Sequence, residues 1–177
     1  MLKILICTQL LGSFCVGILR DKAHETTNHE PLRAYVFLGT DCPISQDYVG
    51  LLNEMDNQYE GEVDFMGVIP QPIDARDVNG FRKEYQVKFD LIADKTLELT
   101  EKYGVHITPE VVLMDESNVV QYQGAIDNWY YALGKHQRTA TEHYLRDAIE
   151  ALLLGRAIEV KRTEAVGCII SMPAHHH

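Results

Sequence analysis

The sequence predicts an α/β fold of three layers, with helices on both faces of a mixed central sheet. Three observations predict it. From Arg33 to Tyr103, apolar strand-like runs alternate with segments of helical periodicity. Further on, Glu110 to Met114 and Val119 to Tyr122 are split only by a short polar turn, the spacing of a hairpin. Helices between strands must cross over the sheet, while a hairpin adds antiparallel strands to it.

The elements follow in order. Residues 20–32 (RDKAHETTNHEPL) are polar and aperiodic and read as a linker. Ala34 to Gly39 is a β-rich run. Pro43 to Tyr59 carries Ile44, Tyr48, Leu51, Leu52, Met55 and Tyr59 at helical spacing, and Gly61 ends it. Val63 to Ile69 is apolar enough for a buried strand, closed by Pro70 and Pro72. Asp74 to Tyr85 is a weaker helix, with Asp74 as its cap and Gly80 as its weak point. Leu91 to Ala93 is a short strand. Asp94 is expected to cap a helix that runs to Tyr103 and stops at Gly104. After the hairpin, whose turn is Glu116-Ser117-Asn118, Asn128 to Arg138 is an aromatic loop expected to cover the sheet edge, or to offer a partner an aromatic rim. Thr139-x-x-Glu142 matches a capping box for a helix with Leu145, Ala148, Ile149 and Leu152 on its buried stripe. Gly155 ends that helix, and Ile158 to Lys161 reads as an edge strand.

The chain has 177 residues and a formal net charge of −10, with length for one domain and its own core. An acidic chain without a basic run suits neither a phosphate backbone nor an anionic membrane surface, which argues against nucleic acid as a partner. Met1-Leu2-Lys3 is a positive start to an apolar stretch, Ile4 to Leu19, broken by Thr8, Gln9 and Ser13. It is short for a membrane span, which needs roughly 20 apolar residues, and fits a secretory segment. Residues 1–22 are therefore read as a signal peptide or an N-terminal anchor. The protein is expected to be exported, to the periplasm or another extracytoplasmic space, with this segment its only membrane attachment. Residues 33–160 form the expected domain, and residues 161–177 a tail. Within the tail, His175-His176-His177 resembles a tag remnant. Removing the leader takes Cys7 and Cys15 with it. Cys42 and Cys168 remain, an even pair that an oxidising compartment can link.

Cys42 stands where a strand hands over to a helix. The free N–H groups of a first helical turn, with the helix dipole, stabilise negative charge. A thiolate is such a charge, so its pKa falls and its nucleophilicity at neutral pH rises. Pro43 suits the first helical position, where no N–H is required. Asp41 would oppose the effect if its carboxylate lay close. The competing reading is a buried, inert cysteine. Catalysis requires the sulfur to be accessible and close to Pro109, which directly precedes an apolar strand.

Several motifs in order resemble a known family. A strand, Cys42-Pro43 at a helix start, and Gly104-Val105-x-x-Thr108-Pro109-Glu110 before a hairpin are similar to the thioredoxin superfamily, and within it to the redoxin branch of AhpC/TSA type. Asp41-Cys42-Pro43, Tyr122 to Asp127 (YQGAID), the final helix and Thr163 to Ile169 (TEAVGCI) resemble a group of exported bacterial redoxin-domain proteins. The resemblance implies a thioredoxin-like fold and thiol-disulfide oxidoreductase activity, with Cys42 as nucleophile on protein thiols and disulfides or on peroxide. It implies that Pro109 is a cis-proline packed against the reactive cysteine, a role open essentially to proline alone. Thr108 would offer its backbone to a bound strand, Gly124 would border the same face, and Pro43 and Ser45 would complete the positioning set.

Ser45 departs from the dithiol pattern, in which a second cysteine stands at that position. Release of a mixed disulfide then needs a thiolate from elsewhere. Neither a proline-threonine pair upstream of Cys42 nor a clear catalytic arginine marks a typical peroxiredoxin. Three readings of Cys168 stay open: the resolving or disulfide partner of Cys42; a Cu(I) ligand with Cys42, joined by a histidine such as His106; or an unrelated tail cysteine. No cofactor is expected unless copper is one. The alternatives to an enzyme are a Cu(I) chaperone, against which Gln46 counts because a second cysteine is usual there, and a non-catalytic interaction module.

Overall fold

The computed structural model describes residues 30–171; the expected leader and the terminal histidines lie outside the described residues. The chain runs through Leu32–Phe37 (β1), Pro43–Gln58 (α1), Val63–Ile69 (β2), Ala75–Tyr85 (α2) and Asp90–Ala93 (β3). Glu98–Tyr103 (α3), Ile107–Thr108 (β4), Glu110–Met114 (β5) and Val120–Gly124 (β6) follow. Tyr130–Ala132 (β7), Lys135–His136 (β8), Tyr144–Leu153 (α4) and Cys168–Ile169 (β9) complete it.

The main sheet has the order β3-β2-β1-β5-β6. β2 is parallel to both β1 and β3, while β5 is antiparallel to β1 and β6. This is the mixed sheet that the alternation predicts. Successive side chains of a strand leave on opposite faces, so β1 and β5 each feed two cores. Ala34, Val36, Val111 and Leu113 join one face, where Tyr48, Leu52 and Met55 of α1, Leu145 and Ile149 of α4, and Phe81 of α2 cover them. Phe37, Val112 and Met114 join the other with Val68 and Val105. Leu99 and Tyr103 of the short α3 pack against that second cluster, and Ile170 of the tail closes it. The second face is thus thinly covered, and part of its cover comes from the tail.

Four local expectations change. α3 begins at Glu98, not directly after Asp94, because Leu97 (φ 61°) turns the chain first. Asp94 still serves the helix start from outside: its carboxylate accepts from Leu99 N at 3.3 Å, Thr100 N at 2.8 Å and the Thr100 hydroxyl at 2.7 Å. The Thr139–Glu142 capping box does not form, and α4 starts at Tyr144 with no side-chain cap at His143. The amides of Thr141 and Glu142 instead donate to Asn128 Oδ1, at 2.8 and 3.1 Å. The aromatic loop contains a small hairpin, β7–β8. The expected edge strand at 158–161 reduces to one parallel bridge, between Gln123 and Arg162.

Asp94 is buried and satisfies the buried Thr100 twice over. Replacing it with alanine orphans those donors, and the expected loss is about 1–3 kcal/mol of unfolding free energy by chemical denaturation.

Candidate active site

β1 ends at Phe37, and a tight turn delivers Cys42 to the N-cap of α1 (φ −90°, ψ 111°) with Pro43 at the first helical position. The Cys42 thiol donates to the Thr108 carbonyl at 3.2 Å, and the Thr108–Pro109 bond is cis. Gly39 permits this approach: a Cβ there would stand 2.8 Å from Thr108 Oγ1 and 2.9 Å from Cys42 Cβ. Ser45 is fully buried, and its hydroxyl accepts from Gly39 N at 3.1 Å, which holds the turn against the helix.

The tail reaches the same place from the far edge of the sheet. Gln123 N donates to Lys161 O at 3.1 Å, and Thr163 N returns to Gln123 O at 3.2 Å. The Thr163 hydroxyl accepts from Ala125 N at 2.9 Å and bonds the Tyr122 hydroxyl at 2.6 Å. Gly124 (φ 145°) makes room, since a Cβ on it would lie 2.4 Å from Thr163 O. Gly124 thus serves the attachment of the tail and is not among the residues that line the Cys42 cleft. Beyond Thr163 the chain crosses to β9, which pairs antiparallel with β4: Cys168 lies opposite Thr108 and Ile169 opposite Ile107. Ile170 N then donates to His106 O at 2.9 Å.

Cys42 and Cys168 therefore meet on the backbone of Thr108, and both are free thiols. The accessible sulfur that catalysis requires is instead covered. Cys42 is 3% exposed and lies at the wall of a cleft of about 240 Å³ shared with Thr108, Cys168, Ile169 and Pro70. A larger open groove of about 770 Å³, lined by Asp56, Asp64 and Lys88, contains neither cysteine.

Burial pushes the Cys42 thiol up, but the Cys168 thiol donating to it, together with the Ser45 amide and hydroxyl, more than offsets this and leaves it below the ordinary value of 9.0. Burial, reinforced by the hydrogen bond and charge of Cys42, pushes Cys168 up to about 11. The shared proton belongs on Cys168. Asp41 is exposed and takes no part in the Cys42 shift. His106 is exposed, and its charge acts on Glu110, not on the thiols. Among the described residues, no three or more His, Cys, Asp or Glu group as metal ligands do.

The aromatic segment packs inward. Trp129 meets the Tyr48 ring edge-on at 5.5 Å, and the Tyr48 hydroxyl donates to buried Asp127. Only the hairpin tip, Tyr131 and Leu133, is exposed among its large apolar side chains. Sequence reasoning missed Gln123, Thr163 and Gly167 as parts of the site. Gly167 carried a readable signal, because glycine in an extended segment marks close backbone approach; a Cβ on it would lie 2.0 Å from Thr108 O.

Comparison with solved structures establishes a thioredoxin-like fold. A hypothetical protein from Sinorhizobium meliloti is 22% identical, with a TM-score of 0.71 and 81% of each chain covered. An uncharacterized conserved protein from Geobacillus kaustophilus is 20% identical, also at 0.71, covering 84% of this chain and 80% of that one. A putative thiol:disulfide interchange protein DsbE from Chlorobium tepidum is 17% identical at 0.52, covering 71% of this chain and 79% of its own. The match to the AhpC/TSA family extends over residues 31–123, more than half of the chain. The protein belongs to that family. A search of the curated proteins finds no match.

The thiol order has a direct readout. Thiolate ultraviolet absorbance is expected to rise in two steps: Cys42 ionises first, below the ordinary 9.0, and Cys168 near 11. Ser45→Ala removes a hydroxyl that favours the Cys42 thiolate, so its step moves to higher pH while that of Cys168 stays; an unmoved first step would exclude Ser45 from the charge balance.

Proposed function

We propose that the protein is an exported thiol-disulfide oxidoreductase in which Cys42, covered at rest and reached from the cleft that it lines with Cys168, is the attacking thiolate and Cys168 the resolving thiol. One observation carries the reading: two free thiols from distant parts of the chain meet on the Thr108 edge with their proton affinities split in opposite directions. The sulfur with the lowered pKa is the better thiolate at neutral pH, and its neighbour keeps a proton until it is needed.

The chemistry balances within the site. The Cys42 thiolate attacks a partner's disulfide, forming one S–S bond and expelling one partner sulfur as a thiolate. Cys168 then loses its proton and attacks the Cys42 sulfur, expelling the second. The partner has gained two electrons and two protons, and the protein holds a Cys42–Cys168 disulfide, which a dithiol reductant reopens by the same exchange. Ser45 leaves no dithiol within the helix turn, so this role falls to the tail. Disulfides are favoured over peroxide as substrate because, among the described residues, no arginine lines the cleft; the Arg162 guanidinium is bound to Gln123 Oε1 at 3.2 Å. The proposed location outside the cytoplasm rests on the apolar segment Ile4 to Leu19. Two adjacent thiols would also offer Cu(I) a pair of soft ligands, so copper is the competing cargo.

Mass spectrometry under non-reducing conditions tests the reading. With an excess of a small disulfide, peptide mapping is expected to show the Cys42 and Cys168 peptides linked with the loss of two hydrogens. Cys168→Ser traps a mixed disulfide on Cys42, and Cys42→Ser forms neither product. An unlinked, unmodified wild-type chain would sink the proposal. Stoichiometric Cu(I) binding abolished by Cys42→Ser, without exchange, would support the chaperone instead.

A further inference from the structure

The way to Cys42 is narrow, and its walls carry one sign of charge. The backbone edge of Thr108 is already paired with Cys168, and beside it Ile170 N donates to His106 O at 2.9 Å. Gly167 fits under Thr108 so closely that a Cβ there would stand 2.0 Å from the carbonyl oxygen. A polypeptide substrate therefore meets no free strand edge at the sulfur. What remains is the cleft of about 240 Å³ that Cys42 and Cys168 line together. Sites for drug-sized ligands run from about 300 to 1,000 Å³, so this space suits a disulfide with only a few heavy atoms on each side.

The lining sets the chemistry of that molecule. Pro70, Pro72, Ile169 and Ile170 form apolar walls, and the Gln71 side-chain oxygen is engaged by the Thr40 hydroxyl at 2.8 Å. Apart from the two thiols, Asp41 is the one ionisable side chain in the lining, and it is exposed; no lysine, arginine or histidine among the described residues joins it there. Two further carboxylates act close by. The Tyr130 hydroxyl donates to Asp47, and that hydroxyl is within reach of the Cys42 charge. Burial, Glu84 and then Asp41 hold the proton on the Tyr85 hydroxyl, so the charges of Glu84 and Asp41 add on one side of the site. A small cleft flanked by one sign of charge concentrates the opposite charge inside it, and the net charge of −10 adds at longer range.

We propose that the substrates of this site are low-molecular-weight disulfides bearing positive charge, the disulfides of aminothiols, and that Asp41 selects them by holding the ammonium group. The proposal rests on the exchange function above and names its substrate class. The Cys42 thiolate attacks one sulfur of the small disulfide; a bond from Cys42 to that sulfur forms, and one aminothiol leaves as a thiolate. Cys168 gives up its proton and attacks the Cys42 sulfur, which forms the internal disulfide and expels the second aminothiol. The substrate gains two electrons and two protons, and a dithiol reductant reopens the oxidised pair.

Reaction rates of the full, reduced chain test this. Cystamine (cationic), bis(2-hydroxyethyl) disulfide (neutral) and dithiodiglycolate (anionic) are compared by the rate at which peptide mapping shows Cys42 modified or linked to Cys168. Each rate is divided by that of the same disulfide with free 2-mercaptoethanol, which removes differences in leaving group. The symmetric disulfide of a short neutral peptide is the fourth substrate. At low salt cystamine is expected to lead the anionic disulfide roughly tenfold or more. The lead should shrink as salt rises from ~0.01 to ~1 M, because the screening length falls from about 30 to about 3 Å. Asp41→Asn should cut it roughly threefold, the effect of one nearby charge in a high dielectric. Asp64→Asn, in the groove that holds neither cysteine, should not. The peptide disulfide is expected to react more slowly than the neutral small one. Equal normalised rates across the three charges, a lead undiminished in Asp41→Asn, or a peptide disulfide that keeps pace with the neutral small one overturns the proposal and leaves the exchange function standing. Reaction with none of the four overturns that function as well.

Discussion

The backbone of Thr108 is the point on which the active face is assembled. Its carbonyl receives the Cys42 thiol from the start of α1, and its strand edge receives Cys168 from the end of the chain. Neither thiol has a geometric reason to meet the other except through this residue. The surrounding sequence serves the convergence. Gly39 and Gly167 remove side chains where three backbones crowd together, and Ser45 braces the turn that carries Cys42. A backbone edge suits the task because its carbonyl and amide groups are strong hydrogen-bonding partners that must be matched by something.

Electrostatics follows from that contact. A thiol buried as deeply as Cys42 would ordinarily hold its proton more firmly, since burial disfavours charge. Here the neighbouring thiol supplies a hydrogen bond that favours the Cys42 thiolate, and the same interaction makes Cys168 harder to ionise. Burial of Cys168 and this interaction together split the proton affinities of the two sulfurs in opposite directions. The asymmetry belongs to the pair, with Ser45 adding to it on the Cys42 side.

The second face of the sheet shows why the tail belongs to the folded domain. α3 is only 6 residues long and covers little of the β1, β2 and β5 surface on that side. Ile170 fills part of the remaining gap. The energy that seats the tail is thus hydrophobic burial on one side and strand pairing on the other, both of the modest size that two or three residues can supply.

Much of this was legible along the chain. Helical and strand periodicity, the glycine stops at Gly61, Gly104 and Gly155, and the Asp74 cap are local properties, each dictated by a few adjacent residues, and β2 and β5 emerge within the bounds read for them. The placement of Cys42 before Pro43 at a helix start is local in the same sense. What local pattern could not supply was any relation between residues far apart. Thr139 and Glu142 match a capping box, yet Asn128, brought in from the preceding loop, takes the amides of Thr141 and Glu142. Ile158 to Lys161 has strand composition, yet β6 bridges this part of the chain only at Arg162. The meeting of Cys42 with Cys168, the covering of the sulfur, and the contact of Gly167 with Thr108 depend on a crossing of the tail over the finished sheet. By itself the sequence determined the elements and the place of Cys42 at a helix start, because those rest on neighbours along the chain; the tertiary structure alone decided which thiol faces which, because that rests on where separate segments come to lie.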